Sequence, residues 1–360
     1  MKNSNREVYR PKQKQHNWLR GILIVLIVLL GGFLLLFSSW QKYIVYEKGE
    51  VHLNTPWTPW NPDTGTDGES ADRPKVSAEL VLDGYDFSHV ETDAGAGVTA
   101  MKAVYVPATG ISESAFAAYT DKMSSIGANA LVLQVKPESG QLVYESKTEM
   151  ATGYGLNGSF DLKKQVQTLK EQDIYLVAEL CCCIDARLAE RNQTVALRNA
   201  DGSLCQNEYG TCLDPYNTGL RQYLSGLALE LADMGFDEIL LSYVTHPAGE
   251  GIVYTESMTT PPDAVSAVSS FSYYMEQRVG SEVKLSLRCA PDALHNGTAD
   301  NGQDMSFLYR VFDRVYCASD ANAYSSDLNY AESYMTDANA ARFVPVGYTP
   351  MGDSSWLYIS

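Results

Sequence analysis

The 360 residues hold no CxxC pair and no His/Cys cluster at zinc-ligand spacing, so no structural zinc is expected. Basic residues are few: 27 Lys and Arg stand against 44 Asp and Glu, for a net charge of −17. A chain this acidic repels phosphate backbones and anionic lipid heads, which excludes nucleic acid as a partner. No internal repeat is evident. The single GxGxxG match, Gly153 to Gly158, does not directly follow a strand, so it reads as a loop and no cofactor is expected. Histidine numbers only five.

What is present begins with one long apolar run, Gly21 to Phe37, free of charge and extended by Ser38, Ser39 and Trp40. At about 1.5 Å per residue, a helix of residues 21–40 covers the roughly 30 Å hydrocarbon core of a bilayer. Lys2, Arg6, Arg10, Lys12, Lys14 and Arg20 precede it, opposed only by Glu7. That one-sided excess predicts a cytoplasmic N-terminal tail and an extracellular remainder. A cleaved signal would have a shorter apolar stretch and a small-x-small site, and Phe37-Ser38-Ser39-Trp40 is a poor one. The tail carries +5, leaving −22 (−17 less +5) on residues 21–360.

Four segments are expected: a basic tail (1–20), a transmembrane helix (21–40), an extracellular linker (41–78) and a folded domain (79–360). Between Val51 and Lys75 the linker is rich in Pro, Gly, Asp and Thr, with no apolar period, and reads as a disordered spacer. Of the seven cysteines, Cys181-Cys182-Cys183 read as small apolar filler. Cys205 and Cys212 flank QNEYGT, which can turn back as a hairpin and leaves a local disulfide open.

From Met101 onward, short β-branched runs alternate with amphipathic segments, the pattern of βαβ units and a parallel sheet. Strands are expected over 102–106, 130–135, 174–182, 238–244, 283–289, 314–318 and 342–347. Helices are expected over 113–126, 162–172, 219–234, 263–279 and 327–336. Seven strands over about 260 residues fit a (β/α)8 TIM-type barrel, with a doubly wound open sheet as the alternative. Only 356–359 remains to make an eighth strand, with no closing helix, so an incomplete or atypical eighth unit is expected.

Function in such a barrel collects at the C-terminal strand ends. Those positions hold Lys136 and Glu138 after the second strand, and Glu179 and Asp185 in and after the third. Asp214 follows an insertion at 200–215. Ser242, Tyr243 and His246 end the fourth strand, Arg288 and Asp292 the fifth, and Asp320 the sixth.

The phrases ANALVLQVKPESGQLVY (129–144), IYLVAELCCCIDARLAE (174–190), DGSLCQNEYGTCLDPYN (201–217) and GFDEILLSYVTHP (235–247) carry a resemblance. The chain from about Lys102 to Tyr348 resembles a bacterial family of glycoside-hydrolase-type barrels, distant relatives of the α-amylase type. The resemblance implies a TIM barrel and a polysaccharide or glycan partner in the cell envelope. Ser242 stands at the family's strand-four carboxylate, Gln134 at an acidic position of the second strand, and Arg288 at one near the end of the fifth. Retaining glycosidases need two carboxyl groups flanking the bond, so impaired or absent hydrolysis is expected. Two alternatives stand beside it: an active glycosidase using Glu179 with Asp214 or Asp292, and a non-catalytic envelope scaffold. Lys136, Glu138, Asp185, Tyr243, His246, Arg288 and Asp320 are then the expected glycan-binding residues. Glu179 can instead form an ion pair with Lys136 or Arg288. A Ser242–His246 nucleophile lacks an orienting acid.

Overall fold

The computed structural model describes residues 44–47, 50–53, 90, 92–247, 251–256 and 261–360. The basic tail and the 21–40 span lie outside them. Among the described residues no helix is long and apolar enough to cross a membrane. Within the expected linker segment (41–78), Ile44–Glu47 and Glu50–Leu53 pair antiparallel, Ile44 opposite Leu53, so residues 51–53 of the stretch read as disordered form part of a strand. The rest of that stretch, from residue 54, lies outside the described residues.

The folded domain is a closed barrel of eight parallel strands. They are β1 (Lys102–Val106), β2 (Ala130–Lys136), β3 (Tyr175–Cys181), β4 (Glu238–Ser242), β5 (Lys284–Cys289), β6 (Arg314–Ala318), β7 (Phe343–Gly347) and β8 (Trp356–Tyr358). Sequence order equals spatial order, and β8 pairs with both β7 and β1, so the ring closes. The eighth unit is atypical in a narrower sense than expected: the β7–β8 connection holds no helix.

The alternation along each strand explains the two layers of core. Ala103, Ala130, Val132, Val177, Leu240, Tyr316, Val344 and Leu357 form one buried cluster, the barrel interior. The intervening residues, such as Leu131, Leu176, Leu180, Ile239, Leu241 and Leu287, pack under the helices. Period-two alternation with both faces apolar is what a strand covered on both sides requires.

The helices over Phe116–Ile126, Leu162–Lys170, Thr218–Met234, Ala264–Val279 and Tyr324–Tyr334 agree with the expected segments to within a few residues. Their starts follow local chemistry: Asn217 accepts from the Leu220 N–H at 2.9 Å, and Asp263 from the Ser266 N–H at 2.6 Å. Four short helices have too few turns to show a period: Glu149–Gly153, Ala186–Arg191, Pro291–Asn296 and Met305–Val311.

At the N-terminal end of the barrel Glu238 is fully buried. It accepts from Tyr316 at 2.8 Å and Tyr175 at 3.0 Å and pairs with Arg314. Nearby Asp237 pairs with Lys170 at 2.7 Å and accepts from the Leu176 N–H at 2.8 Å. Both carboxylates hold strands together, away from the functional end.

Candidate active site

At the opposite end, interior positions in the C-terminal halves of β1, β2, β3 and β5 bring together Tyr105, Gln134, Glu179 and Arg288. Glu179 is 1 % exposed. Its Oε2 accepts from the Tyr105 hydroxyl at 2.7 Å, and its Oε1 lies 3.6 Å from an Arg288 Nη. Burial, and then Glu179, hold the Tyr105 phenol far above its ordinary range, so it stays a donor. Arg288 lies over the Tyr105 ring, 5.8 Å from the centroid. Of the two ion pairs open to Glu179, the one with Arg288 forms. The buried Nε and the other Nη of Arg288 have no partner.

Glu138 is half-buried just beyond β2. It accepts from Gln134 Nε2 at 3.4 Å, and Gln134 is the cross-strand partner of Glu179. Two carboxylates therefore stand at the mouth, but side by side on the β2–β3 wall. Tyr243 stands near Glu138 at the end of β4: burial, and then the charge of that carboxylate, raise its phenol pKa. Strict alternation would send residue 243 to the helix side. Its backbone is left-handed instead (φ 52°), an unusual conformation for a tyrosine. The Tyr209 ring, 55 % exposed at the tip of the hairpin Gln206–Asn207/Gly210–Thr211, lies 5.3 Å from the Tyr243 ring.

Ser242 is 1 % exposed on the interior row, and its Oγ has Leu180 O at 3.5 Å. His246 Nε2 has no hydrogen-bond partner, so no Ser242–His246 pair forms.

Several expected site residues are elsewhere. A register shift between Gln134 and Lys136 places Lys136 opposite Leu180, on the row under the helices. There its Nζ lies 2.8 Å from Asp185 Oδ2, with both side chains 0 % exposed, and donates to Cys181 O at 2.9 Å. Asp185 Oδ1 accepts from the Leu188 N–H at 2.7 Å. A ligand cannot reach either group, which corrects their reading as glycan contacts.

Asp214 is fully buried and accepts from the Thr255 hydroxyl (2.6 Å) and the Thr255 and Tyr216 N–H groups (both 2.8 Å). It fastens a loop, and its expected catalytic role is withdrawn. Asp292 is exposed in the first turn of Pro291–Asn296, and its charge contributes to raising the Tyr209 phenol pKa. Asp320 is exposed and accepts from the Asn322 and Ala323 N–H groups at 2.7 and 3.0 Å, a turn-forming role. His246 is 7 % exposed, stacks on Tyr254 (5.3 Å) and lines a separate cavity of about 380 Å³ with Asp263 and Asp300. A larger cavity, about 610 Å³, lies between Met150, Tyr154 and Tyr223 in the helix layer. Among the described residues no group of three or more His, Cys, Asp or Glu could hold a metal ion.

Sequence reasoning missed Tyr105 and Tyr209. The first was legible, as the last inward position of KAVYV; the second carries no local signal.

A closed parallel barrel with its polar groups gathered at the C-terminal mouth defines a TIM-barrel protein. The chain belongs to the family described as "putative glycosyl hydrolase domain", which matches residues 103–319. No curated protein matches it. Among solved structures, it is similar to a hypothetical protein from Ruminiclostridium thermocellum (24% identity over 51% of this chain and 96% of that one, TM-score 0.47). It is also similar to trehalose-6-phosphate hydrolase from Bacillus licheniformis (9% identity, 71% and 58% covered, TM-score 0.46). A third is an inactive mutant of the family 20 exo-β-N-acetylglucosaminidase from Vibrio harveyi (10% identity, 69% and 41% covered, TM-score 0.49).

Proposed function

We propose that this chain is a membrane-tethered barrel that binds a cell-envelope glycan at its mouth without hydrolysing it. The observation that carries this reading is the engagement of Glu179 by Tyr105 and Arg288, beside Ser242 at the strand-four position. A carboxyl group that cleaves a glycosidic bond must face that bond, whereas both oxygens of Glu179 are taken up inside the barrel, one by the Tyr105 hydroxyl and one by the Arg288 guanidinium. The second carboxylate, Glu138, stands on the same wall and not across the cleft, so the two do not flank a bond from opposite sides. The Tyr209–Tyr243 pair offers ring faces for sugar stacking, and Glu138 and Arg288 offer hydrogen-bonding groups around it.

The charge-free run 21–37 and its basic flank support the tether, with the barrel outside the cell. A protease added to intact cells should remove the barrel and leave the N-terminal tail protected; a fully protected barrel would overturn this orientation.

Purified full-length protein should retain envelope glycans on affinity electrophoresis and release no reducing ends from them. Turnover that Glu179→Gln abolishes would establish the hydrolase alternative. Absence of binding to every glycan, with a protein partner recovered by crosslinking, would establish the scaffold alternative.

A further inference from the structure

The insertion that carries Tyr209 over the mouth is built on two cysteines. Gln206 pairs with Thr211 and Asn207 with Gly210, so the next pair outward in the same register is Cys205 with Cys212. The Cys212 N–H donates to Cys205 O at 2.9 Å, which extends the ladder by that pair. Directly opposed residues of an antiparallel ladder carry their side chains on one face, with Cα atoms about 4.5–5.5 Å apart. A disulfide spans Cα separations of about 4.4–6.8 Å. Burial raises the pKa of both thiols. They share one apolar cluster with Cys181, Ile184 and Leu197, against which Tyr243 packs.

We infer that Cys205 and Cys212 form an oxidisable dithiol whose disulfide staples the Tyr209 hairpin over the barrel mouth. The oxidant is a disulfide donor, either a small-molecule disulfide or the active-site disulfide of an oxidoreductase. The Cys205 thiolate attacks one donor sulfur, forming a mixed disulfide and releasing one donor thiolate. The Cys212 thiolate then attacks Cys205 Sγ and releases the second. The chain loses two protons and two electrons, and the donor disulfide becomes two thiols.

All seven cysteines are free and buried in the structure, and a second pair, Cys289 and Cys317, is also adjacent, on β5 and β6. The two pairs differ in what must open to expose them. Gln206 and Asn207 are exposed, so the hairpin can part locally. Cys289 and Cys317 lie in the barrel wall under the helices, where access requires the strands and their covering helices to separate. The selectivity follows from that difference.

The test uses the full-length protein, equilibrated with glutathione disulfide under native conditions, quenched in acid, alkylated and mapped by mass spectrometry. The expected product is a Cys205–Cys212 linked peptide lighter by two hydrogens, with Cys181, Cys182, Cys183, Cys289 and Cys317 fully alkylated. Cleavage after Tyr209 by chymotrypsin should slow several-fold in the oxidised form and recover on reduction. The inference is overturned if Cys205 and Cys212 remain alkylated, if glutathione stays attached to either one, or if Cys289–Cys317 oxidises as readily. Chymotrypsin cleavage that is equal in the linked and reduced forms would overturn the staple itself.

Discussion

Replacing Lys136 by Met tests how the top of the barrel is held. Lys136 and Asp185 are both fully buried and 2.8 Å apart. At an effective dielectric of about 20, that separation corresponds to roughly 6 kcal/mol of attraction, most of it offset by desolvation of the two ions. Burial alone would lower the Lys136 pKa, yet the Asp185 carboxylate raises it above its ordinary value. A raised ammonium contributes stability that is fully present below about pH 10.4 and lost as pH rises through the folded value, so all of it operates at pH 7. In Lys136→Met the Asp185 charge is stranded, at a cost of about 3–5 kcal/mol. The double variant Lys136→Met/Asp185→Leu removes both charges and also the cap on Leu188, worth about 1 kcal/mol. It should therefore unfold within about 2 kcal/mol of the natural chain and be more stable than the single variant. Urea denaturation followed by tryptophan fluorescence reads both. A loss below about 1 kcal/mol in Lys136→Met, or a double variant weaker than the single, would refute the reasoning.

Burial pushes the His246 imidazole below its ordinary pKa. Its contribution to stability is therefore present above about pH 6.5 and lost as pH falls below that value. His246→Asn should flatten the urea midpoint between pH 7 and pH 5, and an unchanged slope would count against the buried neutral ring. Gly140 has φ +80°, and a Cβ there would stand 1.8 Å from Asp185 Oδ1. Gly140→Ala should cost about 2 kcal/mol or more, seen as a lowered Tm. Tyr316→Phe removes a 2.8 Å bond to the buried Glu238 carboxylate and should cost about 1.5–3 kcal/mol in the same assay. Tyr209→Ala should weaken glycan binding about 2- to 10-fold on titration, the equivalent of about 0.5–1.5 kcal/mol of aromatic contact. Its Tm should stay nearly unchanged, since the ring is exposed.

The barrel was largely legible because its signal is local. KAVYV and RVYCA are strands to the residue, since β-branched residues between turn signals mark the element and its ends together. The closing strand, Trp356–Tyr358, has only three residues; its partners on both sides define it more than its own sequence does. The site was less legible because direction matters more there than identity. A single-residue register shift carries Lys136 from the cleft to the helix layer, and a left-handed backbone returns Tyr243 to it. Neither departure is visible in an alternating pattern. Asp214 looked available because its burial and the two donors that Thr255 brings from 41 positions away are tertiary facts.

Closure of the ring also sets a timetable. Trp356 pairs with Lys102, 254 positions earlier (356 minus 102). Until β8 docks, β1 presents a row of unpaired amide and carbonyl groups, the kind of edge that recruits strands from neighbouring chains. Contacts of such long sequence separation form slowly, since loop entropy is lost before they are gained. During synthesis, the first strand of this barrel must therefore wait, open along one side, while more than two hundred further residues are made.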